Sequence, residues 1–327
     1  LEFRRVLFRS LVIFALLIAF AVSRPSRFEQ IAKEVNSRRT TWIAEESAPF
    51  RDYARLIGTL PNTVPLPSKT VDVVKNLPES FNALEKWPEC KSITEIRDQG
   101  ECASCWAVGV AEVATDRLCI SSNGKDQSRL SAEDLLGCCD SCGMKCKGGY
   151  TGMAWEYVRQ VGIVTGGANG NKEWCNEYAF PKCSHGIQGS YPECSSIPPE
   201  DPECSTTCIK GYPIPYDQDR HKMKSAFQLE NDVNQIKSEI FANGPVEATF
   251  QVFEDFMTYK SGIYQHVTGK RVALHTVKLI GWGVEGGVPF WRVVNSWNEE
   301  WGEEGQFRIR LGTNECSIEA QVEGGMF

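Results

Sequence analysis

The chain has 327 residues, fourteen cysteines and a formal net charge of −7. Its length suffices for one large domain or two smaller ones, and the acidic balance, without a long basic stripe, argues against a nucleic-acid partner. Nine tryptophans argue against disorder, and the cysteine count points to an oxidising compartment with a disulfide framework.

Residues 11–22 are almost wholly apolar and follow Arg4, Arg5 and Arg9, while Ala21 and Ser23 have the spacing a signal peptidase reads. Residues 1–23 are therefore expected to be a signal peptide cleaved after Ser23, its apolar run being too short to span a membrane. Because the chain does not begin with Met, residues 1–10 are treated as a candidate cloning remnant and given no structural weight. No Asn-x-Ser/Thr sequon occurs, so N-glycosylation is not expected.

Residues 24–76 are polar, lack Cys and end in a Pro-rich connector over 60–67. The contrast with the Cys-dense remainder predicts a separate pro-segment, the alternative being a linker. A helix is expected over 28–42, around Ile31, Val35 and Trp42.

The stretch Arg97-Asp98-Gln99-Gly100-Glu101-Cys102-Ala103-Ser104-Cys105-Trp106 comes next. Ala107, Val110, Ala111, Ala114 and Leu118 follow at helical spacing, predicting a helix over 106–120 with one apolar face. Ser104 is a candidate N-cap, which puts Cys105 in the first turn, where the helix dipole favours a thiolate. Further helices are predicted from Ser131, near 153–161 and over 232–241, where Gly244-Pro245 stops the last. Residues 165–220 read as a long, functional loop. Strand patterns cover 246–252, 275–281, 289–295 and 306–310. A helical first part and a β-rich last part predict an α+β enzyme with a cleft between them.

A Cys nucleophile needs a base and a group that orients the base. Of the four histidines, His275 opens one strand pattern and Asn295 ends another, so adjacent strands can bring them together. The Asn amide oxygen then takes one ring nitrogen and leaves the other for the thiol, with Trp297 covering the pair. Gln99 can join the Cys105 backbone N–H in an oxyanion site. Two rival readings remain: Cys102-x-x-Cys105 as a redox pair, and Cys139-x-x-Cys142 with Cys142-x-x-x-Cys146 as zinc ligands. Export favours disulfides over both.

These residues resemble the papain-type cysteine protease signature, with Asn295-Ser296-Trp297 similar to its Asn motif. His275 lies further from Cys105 than the roughly 130–150 residues usual there, which implies an insertion. From about Phe28 onward the chain resembles the cathepsin B branch, in Ser131-Ala132-Glu133-Asp134-Leu135-Leu136, Gly148-Gly149-Tyr150, Asn243-Gly244-Pro245-Val246-Glu247 and Tyr264-Gln265-His266-Val267-Thr268-Gly269.

The resemblance implies a papain-like two-lobed fold, with a helical left lobe, a β-barrel-like right lobe and the site in the cleft between them. It implies an inhibitory propeptide over 24–76, lying through that cleft, and a mature domain over 77–327. It also implies an occluding loop over 183–194. Cys105, His275, Asn295 and Gln99 become catalytic; Gly148, Gly149, Leu274, Gln321 and Trp297 line the substrate cleft. Implied disulfides join Cys90 to Cys119, Cys102 to Cys146, Cys138 to Cys204, Cys139 to Cys142, Cys175 to Cys208 and Cys183 to Cys194, leaving Cys105 and Cys316 free.

The chain departs from that pattern in several places. His185 keeps the loop's latch to Asp98, but Gly186 stands where a second His binds a substrate's C-terminal carboxylate. Tyr191 replaces the loop's Arg anchor, and Glu300 its Asp partner. Gln321 replaces the Glu that accepts Arg in the S2 pocket, so apolar P2 residues are expected. Leu274 and Ala103 each replace a Gly.

The expected function is a secreted or lysosomal cysteine endopeptidase, made as a zymogen, with weakened carboxydipeptidase activity. Its expected partners are peptide and protein substrates, its own propeptide and cystatin-type inhibitors. It is expected to be a monomer with no cofactor, metal or membrane association. Residues 290–325 resemble a segment of cathepsin B-like enzymes of blood-feeding worms, differing at Leu311 and Ala320, which implies digestion of dietary protein. The alternative is a catalytically silent homologue that binds peptides, a reading that rests on Leu274 and Ala103.

Overall fold

The computed structural model describes residues 25–46, 55–198 and 200–327; the expected signal peptide lies outside them. The first helix, α1 (Arg27–Ser37), starts on a capping box in which Ser26 accepts from the Glu29 N–H. Its buried face is Phe28, Ile31, Ala32 and Val35. The helix expected over 28–42 stops short, because Trp42 belongs to strand β1 (Trp42–Ala44), which adds to a sheet edge. Sheet hydrogen bonds there outweigh the local helical spacing.

After a single turn of helix at Ala83–Lys86, four longer helices follow among the described residues: α2 (Cys105–Ser121), α3 (Ala132–Cys138), α4 (Thr151–Gln160) and α5 (Val233–Asn243). Ser131 and Asp232 cap α3 and α5, as their side chains predict. Helices α2, α3 and α4 share one hydrophobic core around Trp106, Leu135 and Trp155. Between α4 and the sheet the chain is mostly irregular, held by disulfides and short pairings.

The other labelled strands are β2 (Ser225–Leu229), β3 (Val246–Phe253), β4 (Tyr259–Tyr264), β5 (Arg271–Glu285), β6 (Val288–Val294), β7 (Gln306–Arg310) and β8 (Gln321–Met326). They run in the order β1-β4-β7-β6-β5-β3-β8-β2, and two-residue pairings at Ser68–Lys69 and Phe81–Asn82 complete a ten-stranded sheet. Neighbours are antiparallel except β7 with β4 and Ser68–Lys69 with β2. Strands β2, β4 and β8 lie outside the four strand patterns expected from the sequence. A second core lies over this sheet and includes α1, so the N-terminal segment shares the hydrophobic interior of the sheet. Gly262, at φ +98°, lets β1 approach: a Cβ there would meet Thr41 O at 2.5 Å. Among the described residues no helix is long and apolar enough to cross a membrane.

Helix α2 departs from expectation. It is buried on all sides from Cys105 to Cys119, because helices cover one side and the sheet the other. Two of its charged residues, Asp116 and Arg117, are paired inside the protein. Lys278 on β5 meets Asp116 at 3.0 Å, and Arg117 binds Glu239 at 2.9 Å and the carbonyl of Pro245 at 2.7 Å. The Lys278–Asp116 pair ties the helix that carries Cys105 to the strand that carries His275, and Arg117 ties it to α5.

Burial pushes the Glu112 carboxyl up to about 7, although Lys278 and Arg97 pull the other way. The fold thus favours protonated Glu112, and that contribution is lost as pH rises from the ordinary 4.5 through about 7. Replacing Glu112→Gln is expected to flatten the decline of thermal stability across this window. An unchanged slope in melting temperature against pH would contradict it.

Candidate active site

Cys105 opens helix α2 and is fully buried. Ser104 occupies the N-cap position, but its hydroxyl pairs with the Tyr178 hydroxyl at 2.6 Å and makes no cap bond. Strand β5 crosses the helix one turn later. A Cβ on Gly109 would lie 2.6 Å from Thr276 Cγ2, so this glycine permits the approach that brings His275 to the thiol. His275 Nε2 and Asn295 Oδ1 are 2.8 Å apart, which leaves Nδ1 without another partner. The indole of Trp297 lies 5.0 Å from the imidazole and is itself wholly buried, so it shields the pair from water.

Burial raises the Cys105 thiol, but the charge and hydrogen bonding of His275, with help from Thr59 and the Thr276 backbone, bring it down to about 7. Cys316, the other free cysteine, moves the opposite way, raised by burial and by Glu315. One free thiol is thus poised as a nucleophile and the other is quenched.

The remaining twelve cysteines form the six implied disulfides. Cys102 is bonded to Cys146 and Cys139 to Cys142, which removes both the redox-pair and the zinc readings. Cys183, His185 and Cys194 lie together, yet both sulfurs are committed to a disulfide.

The N-terminal segment runs directly over this thiol. Gly58 N–H points at Cys105 Sγ over 3.3 Å, and the Thr59 hydroxyl sits 3.2 Å from the same sulfur. Backbone bonds hold the segment on both sides: Gly149 N donates to Gly58 O, Leu60 N to Gly149 O, and Thr59 N to Leu274 O. The glycines matter sterically, since a Cβ on Gly148 would come within 2.8 Å of Gly58 O. The Gln99 amide donates to Cys102 O at 2.7 Å and to Leu56 O at 3.1 Å, while its own oxygen accepts from Ser296. A peptide carbonyl of the segment therefore already occupies the donor expected for an oxyanion.

In the 183–194 loop, His185 Nε2 meets Asp98 Oδ1 at 2.6 Å. Burial alone would raise the Asp98 carboxyl; His185, Asn298 and the Gly100 N–H together hold it below its ordinary value. At the second anchor, where the sequence carries Tyr191 and Glu300, the tyrosine donates to Glu299 at 2.6 Å, Lys182 pairs with Glu299 at 2.6 Å, and Ser190 binds Glu300 through its N–H and hydroxyl. The lost Arg is replaced by bonds to both adjacent glutamates, so the loop stays fastened.

Gln321 donates to Thr151 at 3.0 Å and to Thr249 at 3.3 Å, and is uncharged as the sequence implies. Two residues along the same face of β8, however, Glu323 supplies a buried carboxylate, opposite Glu247 on β3. Reading position 321 alone missed it.

The profile described as papain family cysteine protease matches residues 77–326. The chain belongs to the papain family of cysteine proteases.

Within the family it is similar to a cathepsin B-like cysteine proteinase of Schistosoma japonicum, 49% identical over 255 residues, covering 78% of this chain and 75% of the relative. It is also similar to cathepsin B-like cysteine proteinase 4 of Caenorhabditis elegans, at 42% identity over 92% of this chain and 93% of that one. Among solved structures it resembles proCathepsin B S9 from Trypanosoma congolense, with TM-score 0.80, 34% identity, and coverage of 93% and 99%. Digestive procathepsin L2 from Tenebrio molitor larval midgut shares the fold, with TM-score 0.69 at 20% identity over 92% of this chain and 89% of that one. The chain is thus a cathepsin B-like cysteine protease that carries its own propeptide.

Gly58, Thr59, Leu56 and Asn62 were not singled out in the sequence as site residues; the only signal was the Pro-rich connector over 60–67, which contains Asn62 and follows the other three. Gly58 is tightly specified, because a Cβ there would fall 1.9 Å from Ala103 O. The substitution Gly58→Ala is expected to loosen the propeptide and speed alkylation of Cys105 in the unprocessed chain by about tenfold or more. Mass spectrometry of iodoacetamide labelling reads the rate, and equal rates would contradict this account.

Proposed function

We propose that the protein is the zymogen of a secreted or lysosomal cysteine endopeptidase whose mature domain spans 77–327. In this reading Cys105 attacks the peptide carbonyl and the bond to nitrogen breaks as His275 delivers its proton to the leaving amine. The thioester left on Cys105 is hydrolysed by water, with His275 now accepting a proton. Asn295 holds the imidazole in register, and the Gln99 amide with the Cys105 N–H balances the oxyanion. The observation that carries the reading is the His275–Asn295 pair beside a buried free thiol of depressed pKa. Gly148, Gly149 and Leu274 hold a substrate backbone as they now hold residues 58–60 of the propeptide.

The same reading assigns weak carboxydipeptidase activity. The loop is latched by His185 and Asp98, but Gly186 offers no side chain to a terminal carboxylate. Cystatin-type inhibitors would enter the same cleft, and the enzyme acts as a monomer without a cofactor. A digestive role, on dietary or lysosomal protein, follows from the likeness of residues 290–325 to enzymes of blood-feeding worms; gut-restricted transcript supports it, and uniform expression in all tissues refutes it.

One experiment tests the chemistry. After acid activation, an epoxide thiol probe is expected to label Cys105 and abolish cleavage. Before labelling, a peptide with a free C-terminal carboxylate and its amidated twin are expected to be cut at similar rates. An unlabelled folded protein would favour the silent homologue, and a strong preference for the free acid would refute the endopeptidase assignment.

A further inference from the structure

Beneath the cleft, strands β3 and β8 place two carboxylates side by side, Glu247 opposite Glu323. Both residues are completely buried. Trp155 donates to Glu247 Oε2 at 2.6 Å, yet Glu247 Oε1 and Glu323 Oε2 have no hydrogen-bond partner. Two unpartnered carboxylate oxygens in one dry site are costly unless a proton or an N–H donor satisfies them.

The propeptide supplies one such donor. Asn62 reaches down from the cleft and donates from Nδ2 to Glu323 Oε1 at 2.6 Å, while the Gly152 N–H donates to Asn62 Oδ1 at 3.2 Å. The slot is narrow, since a Cβ on Gly152 would lie 3.1 Å from Asn62 Nδ2. Asn62 lies two residues beyond Leu60, whose N–H binds Gly149, so its side chain occupies a subsite that a substrate fills once the propeptide has gone.

We propose that Glu323, backed by Glu247, is a specificity-determining residue of this subsite. It selects side chains that carry N–H donors, and it gains preference for cationic ends as the medium approaches neutrality. The inference rests on the proteolytic function proposed above.

The surroundings agree with it. On β8 and β3 the neighbours are the neutral Gln321 and Thr249, and α4 offers Thr151 and Trp155. From α2, the charge of Cys105 raises Glu247 further, while Arg117 is committed to Glu239 and to the carbonyls of Gly244, Pro245 and Gly325. Burial pushes Glu323 up to about 7, partly offset by Thr151 and Asn62; burial and the charge of Glu323 raise Glu247 well above the usual range. In acid both carboxyls are neutral and suit an amide such as Asn62. As pH rises Glu323 ionises first, and an ammonium or guanidinium then gains a charge-assisted bond.

The test uses the processed enzyme and fluorogenic peptides varied at P2 and P3 among Arg, Lys, Asn, Gln, Leu and Phe. The readout is the Arg-to-Leu ratio of kcat/KM at about pH 5 and about pH 7.5, in which the titration of Cys105 and His275 cancels. At the responsive position the ratio is expected to rise about tenfold with pH. Glu323→Gln is expected to remove that rise. The wild-type profile is decisive without the variant, should the variant fold poorly. A Leu or Phe optimum with a pH-independent ratio at both positions overturns the proposal. Failure of the epoxide probe to label Cys105 overturns the catalytic reading instead, so the two failures are distinguishable.

Discussion

The reaction centre depends on how closely helix α2 can approach strand β5. Cys105 belongs to one and His275 to the other, and neither side chain alone is unusual. Gly109 removes the Cβ that would strike Thr276, and the crossing closes to van der Waals contact. A buried ion pair then fastens the same two elements, Lys278 to Asp116 across the crossing, and Arg117 ties α2 to α5 through Glu239. Such pairs add little net stability against apolar substitutes, but removing one partner strands a charge in the core, which makes the arrangement hard to slide. The thiol and imidazole are therefore held by the fold, and their mutual electrostatics follow from position.

The propeptide is fitted to the chemistry as well as to the shape. Its Leu56 carbonyl takes the Gln99 amide, Gly58 and Thr59 address the sulfur, and Asn62 satisfies a carboxylate under the cleft. In the proposed mechanism and specificity, these are groups that a substrate would meet. The segment thus fills donors and acceptors of the site, with α1 anchoring it in the sheet core. Fitting so closely also constrains the segment: only a residue without a Cβ passes Ala103 at position 58.

The loop over residues 183–194 is fastened at two points. Tyr191 binds Glu299, and Ser190 binds the adjacent Glu300. The loop remains closed on Asp98 through His185. What Gly186 removes is a side chain at the loop, not the loop's attachment.

Much of this was legible in the sequence because it depends on local pattern or covalent chemistry. The N-cap at Ser131, the helix near 232–241, four of the strands, and the Cys105, His275 and Asn295 set all follow from spacing, turn residues and the resemblance those residues carry. Other features depend on which surfaces meet. Helix α2 looks one-sided along the chain, yet it is buried all round because a second layer covers it. Trp42 has helical spacing but joins a strand, because an unpaired sheet edge offers hydrogen bonds that a frayed helix end lacks. Glu323 looks like an ordinary acidic residue beside Gln321; only β3 pairing with β8 sets it against Glu247, away from water. Residue types and their local spacing thus determined which chemistry was present. Long-range packing decided which groups were desolvated, which were already occupied, and therefore which would titrate or recognise.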